Sequence, residues 1–443
     1  GSGVESARRE PGGGGMTVAE PTPAGQATLP VPTEESGGWW ASLPKRQRSA
    51  FLLIGGVVVM SVVRLVSGAD GLTSSGTIGA ALRLAVPIGM AGLGGIFAER
   101  VGVVNIGLEG MMILGTWFGA YGAYEFGPWW GLALGVVGGA IGGLLHAIST
   151  VTFNVDHIIS GVAINIVGAG LARYLSVVAY DESSGGSATQ SPPRKSEIST
   201  WTVPGVSSGL RSLEEKHWFL LSDVAGIVRG FTTKISPATI LAAVILLLAY
   251  LFLWRTKFGL RLRAIGENPY AAESLGVPVL RIKYAGVILS GMCAGFGGAF
   301  LATVLSSIYR EGQTSGKGFI GLATMIFGNW RPGGLAAGAL LFGYSDGLQL
   351  RSSASVPALF LLAAIPCTLL LAIDIRRGHT TAAILVGVAA VSFLVAYLTI
   401  NELADSLSYL TPYVVTLVVL ATSSQRLRPP AWGAGQYRRG EAH

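Results

Sequence analysis

Long apolar runs recur from residue 50 to residue 424. Most have about 20 residues, the length that a helix needs to cross a bilayer. The run 317–350 is too long for one span and is interrupted at Asn329–Gly334. It therefore predicts two spans joined by a tight turn. The sequence as a whole predicts an all-α, polytopic transmembrane bundle of about 10–12 spans, some broken or re-entrant. The runs lie near residues 50–68, 77–97, 103–124, 130–153, 157–180, 236–254, 284–308, 317–350, 356–375, 380–400 and 411–424.

Composition supports a membrane protein and excludes several other classes. Half of the 443 residues are hydrophobic, only 12% are charged and 64 are glycine, a mixture typical of closely packed membrane helices. The net charge of +7 does not indicate nucleic-acid binding, because the basic residues lie at the ends of apolar runs. Cys293 and Cys367 both lie inside apolar runs, so neither a disulfide nor a metal site is expected.

Three regions are expected along the chain. Residues 1–44 are rich in Gly, Pro, Ser and Thr and are expected to be a disordered tail. Met16 is a candidate native start, which would make the residues before it a remnant of cloning. Residues 45–428 are expected to form the membrane domain, and residues 429–443 a cytoplasmic C-terminal tail.

The distribution of basic residues predicts a cytoplasmic N-terminus. Only the predicted inner turn Asn154–Asp156 lacks a basic residue. Basic residues of the predicted inner connections are Lys45, Arg46, Arg48, Arg100, Arg255, Lys257, Arg261, Arg263, Arg281, Lys283, Arg331, Arg376, Arg377, Arg426 and Arg428.

The predicted outer segment 181–234 mixes charged residues, Ser and Gly with Trp201, Trp218 and Phe219. Two interpretations stay open for it. It is either a docking or gating surface, or a tolerated insertion that lies on the membrane interface with its tryptophans as anchors.

The inner connection 255–283 contains the signals of a short capped helix. Asn268 is a typical N-cap, Pro269 suits the first helical position, and Gly276 provides a stop before Pro278. Ala271, Ala272 and Leu275 are expected to share one apolar face. Such a helix is not needed merely to reverse the chain, so it predicts a docking site for a partner.

Polar residues inside apolar runs are candidates for a translocation path. Asn105 and Glu109 stand among glycines in 102–112, which favours a broken helix that lines the path; the alternative is that they cap backbone or pair with Arg100. The stretch 316–334 is broken in a similar way and hints at an internal repeat with a site between the halves. Asp346 and Gln349 share a helix face, although hydrogen bonding between helices explains them equally well. We expect Asn105, Glu109, Asn165 and Asp346 to border a common cavity; the full set of path candidates is Asn105, Glu109, Asn165, Asn329, Asp346 and Gln349.

Motifs for catalysis are missing. The sequence has no GxxxxGK[ST], HExxH or CxxC motif, so neither ATP binding of the P-loop type nor enzymatic activity is expected. Small residues four apart, as in Gly115/Gly119, Gly135/Gly139 and Gly291/Gly295, predict close helix packing.

Several segments together resemble the permease subunits of bacterial ABC importers, in the branched-chain amino acid/ribose group and its simple-sugar/nucleoside branch. The resemblance extends over about residues 72–420. The chain departs from that pattern by its long tail, its large outer segment and an additional pair of segments between about residues 364 and 410. The matching segments are VGVVNIGLEGMMILG, FGLRLRAIGENPYAAESLGV, GFIGLATMIFGNWRPGGLAAGALLFGYSDGLQLR and TPYVVTLVVL.

This resemblance implies a multi-pass protein of the bacterial plasma membrane that imports a nucleoside or a related small polar solute. It implies a separate ATPase with two fused cassettes, a second related permease chain or a second copy, and an extracellular substrate-binding lipoprotein. ATP and Mg would bind to the ATPase, and no cofactor to this chain. The ATPase-coupling residues implied are Gly266, Glu267, Asn268, Ala271, Ala272, Glu273 and Gly276. The competing hypothesis is an ion-coupled secondary transporter, with Glu109 and Asp346 as its coupling groups.

Overall fold

The computed structural model describes residues 44–181, 183–351, 355–400 and 427–433, with single residues 435, 437, 438 and 440. The chain divides into a unit up to Leu53 and a unit from Ile54 onward. The predicted tail 1–44, apart from Pro44, and the predicted span 411–424 lie outside the described residues, as does part of the predicted tail 429–443.

The described part of the chain is built from helices. Its only β-structure consists of isolated β-bridges. They are α1 (Lys45–Ser67), α2 (Ser75–Glu99), α3 (Leu108–Glu125), α4 (Pro128–Ala147), α5 (His157–Tyr180), α6 (Val206–Glu214), α7 (Leu221–Gly230), α8 (Pro237–Arg255), α9 (Lys257–Glu267), α10 (Pro269–Ser274), α11 (Val279–Phe300), α12 (Lys317–Phe327), α13 (Pro332–Arg351), α14 (Ala358–Arg377) and α15 (Thr380–Thr399). A 3₁₀ turn at Asp70–Leu72 precedes α2, and π-helical turns extend α4 to Thr152 and α11 to Leu305.

The helices reproduce the predicted membrane segments. Among the described residues, seven are long and apolar enough to cross a bilayer: α2, α4, α5, α8, α11, α14 and α15. The helices α3 and α13, of 18 and 20 residues, occupy two further predicted segments. The all-α, polytopic architecture is therefore confirmed.

Close backbone contact between α3, α4 and α11 forms the packed centre. A Cβ atom added to Gly115 would overlap the backbone of Gly295, and one added to Gly139 would overlap the carbonyl oxygen of Gly291. Only glycine permits this approach, since any side chain would push the helices apart. The predicted small-residue contacts are thus confirmed.

Two of the predicted membrane segments are broken, as predicted. Residues 101–107 are not helical, so the span that was expected to begin near residue 103 becomes a helix only at Leu108. The helix α12 has 11 residues, which is about 16 Å of helix against a hydrocarbon core of about 30 Å. It is therefore a half-length helix, and the turn 328–331 joins it to α13. The expectation of two spans in 317–350 is wrong for the first of them, because α12 is too short to cross a bilayer.

The predicted outer segment and the predicted inner connection both contain more structure than the sequence indicated. The helices α6 and α7 lie within 181–234, and α9 precedes the expected capped helix within 255–283. The additional pair of segments after residue 364 is present as α14 and α15, which pack against each other and are joined at Gly378, where φ is +72°.

Candidate functional site

Glu109 joins the two broken segments. It lies in the first turn of α3 and is 7% exposed. Its Oε1 accepts a hydrogen bond from the backbone N–H of Gly316 at 2.9 Å, and its Oε2 accepts one from Gly318 at 2.7 Å. The carboxylate thus caps the N-terminus of α12 while it lies at the N-terminus of its own helix. Both helix dipoles favour its negative charge.

Glycine is required where these two helix ends meet. A Cβ atom on Gly318 would lie 2.7 Å from the backbone N and Cα of Glu109. The Gly316 residue that precedes α12 has φ +75°, a left-handed conformation that glycine adopts without strain. The glycines of 316–318 therefore permit the contact that the Glu109 carboxylate stabilises.

Two asparagines fix the non-helical stretch before α3. The side chain of Asn165, on α5, accepts a hydrogen bond from Gly110 N at 2.7 Å and donates one to the Ile106 carbonyl oxygen at 3.1 Å. The fully buried Asn105 donates from Nδ2 to Ser290 Oγ on α11 at 2.9 Å. Its Oδ1 is buried without a hydrogen-bond partner among the described residues.

Asp346 and Gln349 lie on α13 and are half-buried. Asp346 is within electrostatic range of Lys317, the residue between the two glycines that bond to Glu109. The structure therefore brings Asn105, Glu109 and Asn165 together around the start of α3, and it places Asp346 near the start of α12. Gln349 lies one turn further along α13.

Asn329 lies elsewhere, in the turn at the other end of α12. Both Asn329 and Trp330 have positive φ, +53° and +54°. The Trp330 indole donates to Glu99 Oε2, and the Trp330 carbonyl oxygen accepts from Arg100. Asn329 Oδ1 accepts from the Arg428 backbone N–H at 2.8 Å. Its contacts are those of a structural turn on the predicted inner side.

The predicted capped helix is present as α10. Asn268 Oδ1 accepts from Ala271 N at 3.0 Å, Pro269 is the first helical residue, and Gly276 has φ +78°. The expected apolar face is wrong, because α10 ends at Ser274 and Leu275 points away. Ala272 is 3% exposed and packs into the core, whereas Leu275 is 84% exposed.

The seven predicted coupling residues thus separate into three groups by exposure. Gly266 and Ala272 are buried, and a Cβ atom on Gly266 would overlap the Arg100 carbonyl oxygen. The exposed ones are Glu267, Asn268, Ala271 and Gly276, and Glu273 is half-buried. Burial lowers the pKa of Arg100, and the Glu267 carboxylate, 3.9 Å away, acts in the opposite direction. An arginine stays charged at physiological pH in either case, so the surroundings of Arg100 keep their positive charge.

The described part of the C-terminal segment, residues 427–433, 435, 437 and 438, lies against α10. Trp432 N donates to the Gly266 carbonyl oxygen at 2.9 Å, and the rings of Trp432 and Tyr437 pack on Tyr270 with centroid distances of 5.4 and 5.2 Å. A Cβ atom on Gly102 would lie 2.8 Å from Trp432 Cδ1. The sequence predicts only a tail at 429–443, so the contact with α10 was not expected. The aromatic residues Trp432 and Tyr437, which stand in an otherwise polar stretch, are the sequence signal that indicates such a contact.

The sequence matches known proteins over most of the helical part of the chain. The profile of the family described as "Branched-chain amino acid transport system / permease component" matches residues 77–372. The chain belongs to this permease family. The match covers the broken segments, α10 and most of α14. Of the pair of segments expected to depart from the family pattern, only α15 lies wholly beyond the match, so the expectation is wrong for α14.

Individual relatives agree with the family. The permease is 37% identical to a nucleoside ABC transporter permease protein of Lactococcus lactis over 287 residues, 62% of this chain and 84% of the relative. It is 33% identical to a guanosine ABC transporter permease protein of Bacillus subtilis over 62% of this chain and 82% of the relative. A putative glucose ABC transporter permease protein of Haloferax volcanii is 32% identical, over 63% and 78% of the two chains. No solved structure matches the chain.

Family membership settles several expectations. The permease is a multi-pass plasma-membrane protein and a transport subunit of an ABC system, not an enzyme, and its ATPase is a separate subunit. The hypothesis of an ion-coupled secondary transporter is therefore wrong.

Proposed function

We propose that the permease imports nucleosides or closely related small polar solutes. The observation that carries this proposal is the 37% identity across 84% of a nucleoside permease, together with the similarity to a guanosine permease. The relative named for glucose makes free sugars the competing class of cargo.

We infer that the polar groups at the start of α3 and α12 border the path of the cargo. Both carboxylate oxygens of Glu109 already hold backbone N–H groups, so Glu109 acts by keeping α12 in place. Asp346 and Gln349 are half-buried and remain as groups that can accept hydrogen bonds from ribose hydroxyls or base amino groups. Asn105 is fully buried and acts by holding the broken segment against Ser290. Asn329 contributes to the inner turn and not to cargo binding.

The partners follow from the same proposal. An ATPase with two fused cassettes docks on 266–276, through the exposed residues Asn268, Ala271, Leu275 and Gly276. A second related permease chain, or a second copy, completes the path, and an extracellular lipoprotein delivers the cargo. ATP and Mg bind to the ATPase, and this chain holds no cofactor of its own.

Competitive uptake tests the cargo. The permease, its ATPase, its partner permease and its binding lipoprotein are expressed together, and uptake of radiolabelled guanosine is measured against excess unlabelled competitors. Uridine, adenosine and inosine are expected to compete, whereas glucose and ribose are not. Competition by glucose with no effect of nucleosides would replace nucleosides by sugars as the cargo.

Docking is tested on the exposed side of α10, because a change at the buried Ala272 would disturb the permease itself. Ala271→Trp and Glu273→Arg are expected to reduce co-purification of the ATPase at least about tenfold, equivalent to about 1.4 kcal/mol of binding free energy. The matched control is Ser208→Trp, at an exposed position of the predicted outer segment. Unchanged ATPase recovery with both α10 variants would disprove docking at this helix.

A further inference from the structure

The helix α7 has its apolar side turned outward. Leu221, Val224 and Val228 are 46%, 43% and 42% exposed, and Phe231 just after the helix is 51% exposed. Their spacing of three or four residues places them on one stripe. An apolar stripe that faces away from the protein, on a helix of a folded segment, requires an apolar environment to cover it.

The opposite side of α7 is polar and small, and it is firmly attached to the protein. The buried Asp223 forms an ion pair with Arg64 at 2.8 Å and accepts a hydrogen bond from Thr73 Oγ1 at 2.5 Å. Gly226 and Gly230 lie against Thr73 and Ile78, where a Cβ atom would clash. These contacts fix the rotation of α7, so its apolar stripe cannot turn inward without breaking a buried ion pair.

A second set of contacts holds the neighbouring α6 in place. Glu214 accepts from Arg229 at 2.6 Å through Oε2 and from the Ser75 backbone N–H at 2.8 Å through Oε1. Ser75 begins α2, so both outer helices are fastened to the first turn of a membrane span. The pair therefore lies at the ends of the spans and not in a detached loop.

The surroundings of the stripe are those of a membrane surface. Phe231 is six residues before Pro237, where the span α8 begins, and the first turns of α8 expose Ile240, Leu241 and Val244. The apolar surface of α8 thus continues towards α7. The same outer segment exposes four aromatic residues, a type that is enriched at the boundary between lipid and water: Trp201, Trp218, Phe219 and Phe231.

We propose that α7 is an interfacial helix that lies in the outer leaflet of the bilayer, with Leu221, Val224, Val228 and Phe231 inserted among the lipid acyl chains. The exposed Lys216 and Lys234 flank the helix, and Lys216 Nζ lies 4.7 Å from the ring centroid of Trp218. Basic and aromatic side chains in this order suit the phosphate level of a bilayer. Of the two interpretations of the outer segment, the geometry points to the membrane-anchored one.

Collision accessibility of nitroxide labels tests the insertion. Single cysteines are placed at Val224 and Val228 in a chain whose Cys293 and Cys367 are replaced by alanine, and the labelled permease is reconstituted in phosphatidylcholine and phosphatidylglycerol vesicles. Both sites are expected to be accessible to oxygen and protected from a water-soluble nickel chelate. Matched controls at Ser208 and Ser212, exposed on α6, are expected to show the reverse.

Nickel accessibility at Val224 and Val228 equal to that at the controls would overturn the proposal. So would protection that arises only when a binding protein is added, since the stripe would then be a protein-docking surface. The unmodified permease provides an independent readout with a photoactivatable phospholipid in the same vesicles. Labelled peptides are expected from 218–231 and not from 206–216, and labelling in the opposite pattern would also overturn the proposal.

Discussion

The Glu109 carboxylate accepts a 2.7 Å hydrogen bond from the backbone N–H of Gly318, 209 residues further along the chain. With the second bond from Gly316, this contact joins the N-termini of two helices that both begin within predicted membrane segments. A charged group at such depth is costly unless it is paired. Here two backbone donors and two helix dipoles compensate for that cost.

Loss of the Glu109 charge should destabilise the permease. In Glu109→Gln one backbone N–H would face an amide group that cannot accept a hydrogen bond, so the free energy of unfolding is expected to fall by about 2 kcal/mol. Nucleoside uptake should fall with it. Thermal unfolding in detergent measures the change, and Glu125→Gln, at the exposed end of α3, should stay within about 0.5 kcal/mol of wild type. Equal stability of the two variants would contradict the assigned role of Glu109.

Added volume at Gly318 should separate the same two helix ends. The Cβ atom of Gly318→Ala would meet the Glu109 backbone at 2.7 Å, and such overpacking costs about 1–3 kcal/mol. The control is Gly333→Ala in the first turn of α13, where no atom lies within 4 Å of the added carbon. Unfolding temperature and uptake are measured for both. A neutral Gly318→Ala variant would show that α3 and α12 do not meet so closely.

The contact between α4 and α11 should be equally intolerant of a methyl group. Gly139→Ala would drive its Cβ into the Gly291 carbonyl oxygen and to 2.5 Å from Gly295 Cα, with an expected loss of about 1–3 kcal/mol. Gly170→Ala, on the open side of α5, is expected to be neutral or slightly stabilising. Chemical unfolding of both variants in detergent provides the comparison, and a similar midpoint for the two would contradict the packing described.

Removal of Trp432 should loosen α10. Trp432→Ala would delete the ring that packs on Tyr270 and against Gly102. Amide hydrogen exchange of 266–276 and of 100–109 is therefore expected to rise several-fold, because local opening becomes less costly. Trp129→Ala, half-exposed at the start of α4, is the matched control. Unchanged exchange at 266–276 would mean that the C-terminal segment does not support α10.

Local signals in the sequence predicted local structure well. The ends of α10 follow from Asn268, Pro269 and Gly276, since a cap is formed by neighbouring residues. The sequence did not predict the helix α9. Its buried Leu262 and Ile265 stand among basic residues, and that pattern indicated a loop. The sequence analysis also did not predict the helix α7, because its apolar residues are few and lie in a segment of mixed charges, Ser and Gly that was interpreted without secondary structure.

The sequence predicted that polar residues form the candidate site, but it did not predict which of them contact one another. The presence of Asn105, Glu109 and Asn165 inside apolar runs indicated a broken, polar region, and the structure brings these three together. Asn329 met the same criterion of polarity, yet its contacts are with Arg428 in an inner turn. A single sequence cannot distinguish these cases, since both place a polar side chain within a long apolar stretch.

By itself the sequence determined that this permease is an all-α membrane protein with two broken segments and a capped inner helix, because hydropathy, glycine content and capping act over a few residues. Only the tertiary structure decided that Glu109 caps α12, that Trp432 supports Tyr270, and that α7 turns its apolar side outward. Those relationships join residues far apart in the chain. Packing of whole helices sets them, and no short stretch of sequence encodes which helix ends will meet.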